Sequence, residues 1–147
     1  LNSCNLKKKI VQKDEAEKNL RKVLNLGHTF AHAYESKLGF SNQLNHGEAV
    51  IIGLKNAVSF SNKCKLINNK SYNLINHHLD KIPLNKNLKK LFKVKDVDKI
   101  ISFMKSDKKN ISKDINIILL QNFGNIKKNY HFNQNLLKKF LTSELNK

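Results

Sequence analysis

Apolar residues recur at helical spacing from Asn5 to Val11 and again from Asp14 to Lys37, so the pattern predicts two opening helical stretches. Gly39, just after Lys37 and Leu38, is the expected stop of the second. Ser41 to Asn45 is polar and reads as a connecting loop. Beyond it Ala49, Val50, Ile52, Leu54, Ala57 and Val58 make a broad apolar face, the mark of a long, largely buried helix. A helix is expected around Ser71 to Lys81, a break at Pro83, and a further helix around Val97 to Lys105. The pattern then changes. Ile115 to Leu120 is rich in Ile, Asn122 to Asn125 contains Gly124, and Ile126 to Phe132 follows, which together predict a small β-hairpin. A final amphipathic helix is expected from about Asn133 to Leu145.

The fold class is therefore mainly α with one small β-hairpin. No internal repeat is evident, and the Lys- and Asn-rich stretch from Ile82 to Lys93 comes nearest to low complexity. Nowhere does a strand lead through a Gly-rich turn into a helix, so no dinucleotide-binding fold can be built from these residues. At 147 residues the chain has the size of one domain. It opens on Leu1 rather than Met and shows no charged-then-apolar leader, which leads us to expect a fragment of a longer protein. The longest apolar runs, Ala49 to Leu54 and Ile115 to Leu120, are core-sized and far below the roughly 20 residues that cross a bilayer. Cys4 and Cys64 lie far apart and form no CxxC pair, as expected of free thiols in a reducing cytoplasm.

A formal charge of +17 ordinarily points to nucleic acid or an anionic surface. Of the 28 basic residues, however, only Arg21 is Arg, and Asn and Ile are also plentiful while Trp is absent. These are the choices of an A+T-rich genome, because Lys, Asn and Ile have A/T-rich codons. A nucleic-acid reader mixes Arg with stacking aromatics, since Arg makes bidentate contacts that Lys does not. We expect no specific nucleic-acid partner and no membrane partner. The lone Arg is the informative cation.

It lies at the head of the segment that carries candidate chemistry, LRKVLNLGHTFAHAYESKLGFSNQLNHGEAV from Leu20 to Val50. His28 and His32 are four apart, so on a helix they share one face. His46 precedes Gly47 and Glu48 at the expected start of the next helix, where an antiparallel return brings it opposite His28. Imidazole nitrogens suit a borderline-soft ion such as Zn²⁺. Arg21, Asn25, His28 and His32 follow at spacings of four, three and four, which puts them along one stripe if the helix is continuous. Such a stripe makes a poor core and a good anion-binding wall. Glu35 reads equally as a surface or second-layer carboxylate beside a His and as a catalytic group, and Glu48 as a complement to the helix dipole. His77, His78 and His131 have no convergent partners and are expected at the surface.

The string CNLKKKIVQKDEAEKNLRKVLNLGHTFAHAYE, followed by NHGEAVIIGL, resembles the signature of the 3-dehydroquinate synthase family, and the later MKSDKKN with the Ile-rich strand after it also looks like that family. The resemblance implies a helical C-terminal domain of a two-domain enzyme whose N-terminal NAD-binding α/β domain is absent from these residues. It implies His28 and His46 as metal ligands, with a third ligand, a Glu, supplied by that other domain; His32 facing the substrate; Lys7 and Glu17 in the catalytic site; and Arg21, Asn25 and Lys108, chosen over Lys109, binding substrate. Implied cofactors are NAD and Zn²⁺ or Co²⁺. The implied reaction converts 3-deoxy-D-arabino-heptulosonate 7-phosphate to 3-dehydroquinate and phosphate in the shikimate pathway, by a homodimer when complete. Alone, the chain is expected to turn over no substrate. Two departures from the family pattern stand out: Ala31 where Gly is common, and a loop from Gly39 to His46 about one residue long for the family. Another sugar-phosphate cyclase, a basic binding module and a degraded remnant remain open as other readings.

Overall fold

In the computed structural model, which describes residues 2–18, 20–84, 86–106, 115–128, 130 and 132–147, Asn45 starts the longest helix. Its extended backbone and side-chain oxygen cap the N-terminus, accepting from the Glu48 amide at 3.0 Å, while the Glu48 carboxylate accepts from the Asn45 amide at 3.0 Å. Helix α3 then runs His46–Lys63 and buries Ala49, Ile52, Gly53, Asn56, Ala57, Val58, Phe60 and Ser61, as its apolar face predicts. Before it lie α1 (Asn2–Lys13), a 3₁₀ turn (Leu20–Asn25) and α2 (His28–Lys37); after it come α4 (Asn69–Asp80), α5 (Leu88–Leu91), a second 3₁₀ turn (Val94–Asp96), α6 (Val97–Lys105), strands β1 (Leu119–Asn122) and β2 (Asn125–Lys127), and α7 (Gln134–Asn146).

The single continuous helix expected from Asp14 to Lys37 is not formed. The chain turns at Asp14 to Lys18, winds one 3₁₀ segment, and restarts as α2 after Gly27, whose φ of +83° no helix interior tolerates. The C-terminal stop of α2 is as expected: Gly39 has positive φ, its amide donates to Ser36 O and the Phe40 amide to Glu35 O, the paired bonds of a Schellman motif. The hairpin is also shorter than expected. β1 and β2 pair antiparallel with Leu120 opposite Ile126 and Asn122 opposite Asn125, and a bulge lies between Leu120 and Asn122. Ile115, Ile117 and Leu119 alternate inward onto the core, but only Leu119 joins the ladder, opposite Lys127. Ser61 holds that strand to α3, donating to Ala57 O at 2.6 Å and accepting from the Leu120 amide at 2.9 Å.

Helices α2, α3, α6 and α7 meet around a core of Phe30, Tyr34, Phe60 and Phe140, with ring centroids 5.0 to 6.4 Å apart between Phe60, Phe140, Phe30 and Tyr34. Helix α5, within the Lys- and Asn-rich stretch that predicted no element, delivers Leu88 and Phe92 to the same core. Ala31 is fully buried in this core. By contrast α1 buries none of its side chains. Among the described residues no helix is long and apolar enough to cross a membrane, and Cys4 and Cys64 are free thiols, burial pushing the Cys64 thiol up.

Candidate functional site

Two glycines decide where the histidines fall. A Cβ on Gly53, in the middle of α3, would stand 2.3 Å from the carbonyl oxygen of Gly27, and one on Gly27 would stand 2.6 Å from the amide nitrogen of Leu54. Helices α2 and α3 thus touch backbone to backbone at the first residue ahead of α2. The crossing is close because neither residue has a side chain there. From it His28 and His32 climb one face of α2, and His46 enters from the first turn of α3.

The three imidazoles converge. Ring centroids are 5.7 Å apart for His28 and His32, 5.8 Å for His28 and His46, and 6.1 Å for His32 and His46, the last pair stacked within 22° of parallel. His28 is half-buried, whereas His32 and His46 are exposed. Behind His46 sits Glu35, only 8 % exposed, with its two carboxylate oxygens 3.1 and 3.3 Å from Nδ1 of His46. The sequence offered Glu35 two roles, and the structure gives it a partner. Its position, seven residues from His28 and three from His32, is the signal that places it on their face of the helix.

Thr29 anchors the other flank, its hydroxyl donating to the Asn116 carbonyl at 3.1 Å. Glu48, expected to complement the dipole, closes the capping box and also accepts from Lys86 Nζ at 2.8 Å; that amine and the Asn45 amide hold its carboxyl below the ordinary value.

The other expected site residues occupy a different kind of structure. Asp14 accepts from the amides of Lys18 at 2.9 Å and Arg21 at 3.0 Å, which folds the turn into the 3₁₀ segment. Arg21 Nη1 donates to the Glu15 carbonyl at 2.8 Å, leaving the rest of its fork for other acceptors. Asn25 donates to the carboxylate of Glu17, itself at a left-handed φ of 53°. Lys7 is exposed on α1. Because the chain breaks at Gly27, Arg21 and Asn25 do not continue the α2 stripe; they lie on the separate 3₁₀ segment ahead of it. Lys108 and Lys109 lie outside the described residues, as does His131, while His77 and His78 are exposed on α4 as expected.

Imidazole nitrogens are donors that a borderline-soft divalent ion accepts, and the buried carboxylate behind one of them is the support such ligands usually have. Among the described residues no three His, Cys, Asp or Glu side chains form a group able to hold an ion unaided. The donors fit an ion that takes a further ligand from outside this set.

Comparison with known proteins adds three findings. Residues 1–110 match the family described as 3-dehydroquinate synthase C-terminal. The chain is 47 % identical over 145 residues to a 3-dehydroquinate synthase of Pelagibacter ubique, covering 99 % of this chain and 39 % of that protein. It is 37 % identical over 127 residues to a 3-dehydroquinate synthase of Rhodopseudomonas palustris, covering 83 % of this chain and 33 % of that one, and 38 % identical over 123 residues to the one of Endomicrobium trichonymphae. The chain thus spans about a third to two fifths of the length of these relatives.

Proposed function

The chain belongs to the 3-dehydroquinate synthase C-terminal family, and from that premise we propose that it is the metal- and substrate-binding part of a 3-dehydroquinate synthase. Its reaction is conversion of 3-deoxy-D-arabino-heptulosonate 7-phosphate to 3-dehydroquinate and phosphate, in the shikimate route to aromatic amino acids. The observation that carries this reading is the convergence of His28, His32 and His46 over the buried Glu35. That convergence falls within the residues that match the family.

In this reading His28 and His46 hold a divalent ion, Zn²⁺ or Co²⁺, with the missing donor coming from the part of the longer relatives that these residues do not match. When bound, the ion supplies positive charge at the substrate hydroxyls and NAD supplies the hydride acceptor. The chain's own residues bind, orient and move protons. His32, exposed beside both ligands, takes or returns a proton at a substrate hydroxyl, which suits an imidazole near neutral pH. The free part of the Arg21 fork meets a planar anion such as the carboxylate, and Lys7 and Lys108 meet anionic oxygens as point charges. Asn25 and Glu17 form one hydrogen-bonded unit, in which Asn25 binds substrate and Glu17 serves the catalytic site. NAD is held by the NAD-binding domain, and the complete enzyme works as a cytoplasmic homodimer.

The test is a chimaera in which this chain replaces the matched region of the Pelagibacter relative, assayed for phosphate release from the heptulosonate phosphate. Turnover that needs NAD and zinc, and that falls with zinc content in His28→Ala and in His46→Ala, is the expected result. Full zinc occupancy in both variants sinks the ligand assignment, and turnover of a different sugar phosphate alone sinks the substrate.

A further inference from the structure

We propose that Glu35 is a positioning residue that fixes His46 in the Nδ1–H tautomer, so that Nε2 is the nitrogen left with a lone pair. The inference rests on the metal reading above only for why the tautomer matters. An ionised carboxylate has acceptor sites and no donor. Both oxygens of Glu35 lie within 3.3 Å of Nδ1 of His46, so a neutral ring held there carries its hydrogen on Nδ1. A solvated histidine favours the opposite form, with the hydrogen on Nε2. Left to itself, a ring whose side chain is 60 % exposed follows the solvated preference. It would then present a hydrogen where an ion or a substrate proton needs a lone pair.

Three features make Glu35 fit for this role. Its side chain is almost wholly removed from water, so the hydrogen bond meets little competition from solvent. Its backbone is held independently, because its carbonyl accepts from the Phe40 amide at 2.9 Å in the motif that ends α2. Finally, α2 and α3 are held against each other by the contact of Gly27 and Gly53, so carboxylate and imidazole are brought together by two rigid elements and not by a flexible loop. The stack of His46 on His32 then keeps the ring plane.

Long-range nitrogen–proton correlation spectra of the imidazoles, recorded on this chain above pH about 8, past the ordinary histidine titration, read the tautomer directly. The expected wild-type result is Nδ1–H for His46. Glu35→Leu, which keeps the volume and loses the acceptor, is expected to move His46 to mainly Nε2–H, and Glu35→Gln, which keeps an acceptor, to restore Nδ1–H. A role confined to packing would leave the tautomer unmoved. Nε2–H in the wild-type chain overturns the proposal without any variant, and so does Nδ1–H retained in a folded Glu35→Leu chain. Zinc affinity, measured by chelator competition in the chimaera carrying the same substitutions, separates this inference from the reading beneath it. A loss of about 10- to 100-fold in Glu35→Leu is expected. A locked tautomer with zinc affinity indifferent to His46→Ala supports the positioning role and refutes the metal reading; an unlocked tautomer with affinity lost in His46→Ala does the reverse.

Discussion

The α2–α3 pair and the segment from Asn2 to Asn25 share one sequence signature but have different physical footing. The first is welded by a backbone contact at Gly27 and Gly53, buries Phe30, Tyr34 and Phe60, and presents three imidazoles from helix surfaces. The second buries no residue of α1 and is shaped by local bonds, chiefly the Asp14 carboxylate on the Lys18 and Arg21 amides. The groups proposed to hold an ion are thus set by the core, while Arg21, proposed to meet the substrate, is set by a turn. A metal site tolerates little error in ligand placement; an anion met by long cationic side chains tolerates more.

The strongest way to break the comparison is Gly53→Ala. With its new methyl 2.3 Å from a carbonyl oxygen, the helices must separate, and we expect a loss of roughly 3 kcal/mol in urea unfolding together with loss of the His46–Glu35 hydrogen bond. Gly39→Ala is the control: no atom beyond its chain neighbours lies within 4 Å of its added carbon, so only the positive φ is strained and about 1 kcal/mol is lost. Equal costs for the two would show that the glycine contact sets nothing. Arg21→Lys acts on the other region. In the chimaera it should raise KM roughly tenfold, as expected for one charge-assisted hydrogen bond, with zinc content unchanged; zinc loss would join the two regions into one unit.

The smallest effect sharpens the α2–α3 side through pH. The Glu48 carboxyl titrates below its ordinary 4.5 because Lys86 and the Asn45 amide favour its charged form. Its support of the α3 cap is therefore complete above that ordinary value and is lost as pH falls through the depressed one. The Asn45 amide resonance should report a midpoint under 4.5. A midpoint at or above it would mean the capping box is not populated in solution.

How much of this was legible follows from the kind of force involved. α3, α6 and α7 were readable because each has one apolar face wide enough to fix its period. The break at Gly27 was not, since apolar spacing runs on through Val23, Leu24, Leu26 and Phe30; the partner that decides it, Gly53, is far along the chain. α5 was hidden by its lysines, though Leu88 and Phe92 are anchors once the helix is formed. The strand before the hairpin was read as longer than it is because Ile115 and Ile117 serve the core without pairing. The clustering of His28 with His32 and His46 was readable from spacing and an antiparallel return. Glu35 was noticed but unplaced, because burial of a carboxylate is decided by what packs over it. Asparagines that look like compositional background also proved specific: Asn45, Asn68, Asn87 and Asn133 each cap a helix.

That background gives the glycine contact a further meaning. Glycine codons begin with two guanines, so a genome drifting toward A and T erodes them, and this chain retains 5 glycines. Two of those face each other across α2 and α3, where neither tolerates a methyl group. Replacing either alone closes the gap it leaves open, so no single mutational step releases the pair. Whatever else in the sequence slides with base composition, positions 27 and 53 act as a ratchet that holds the helix crossing, and the histidines placed by it, at one fixed spacing.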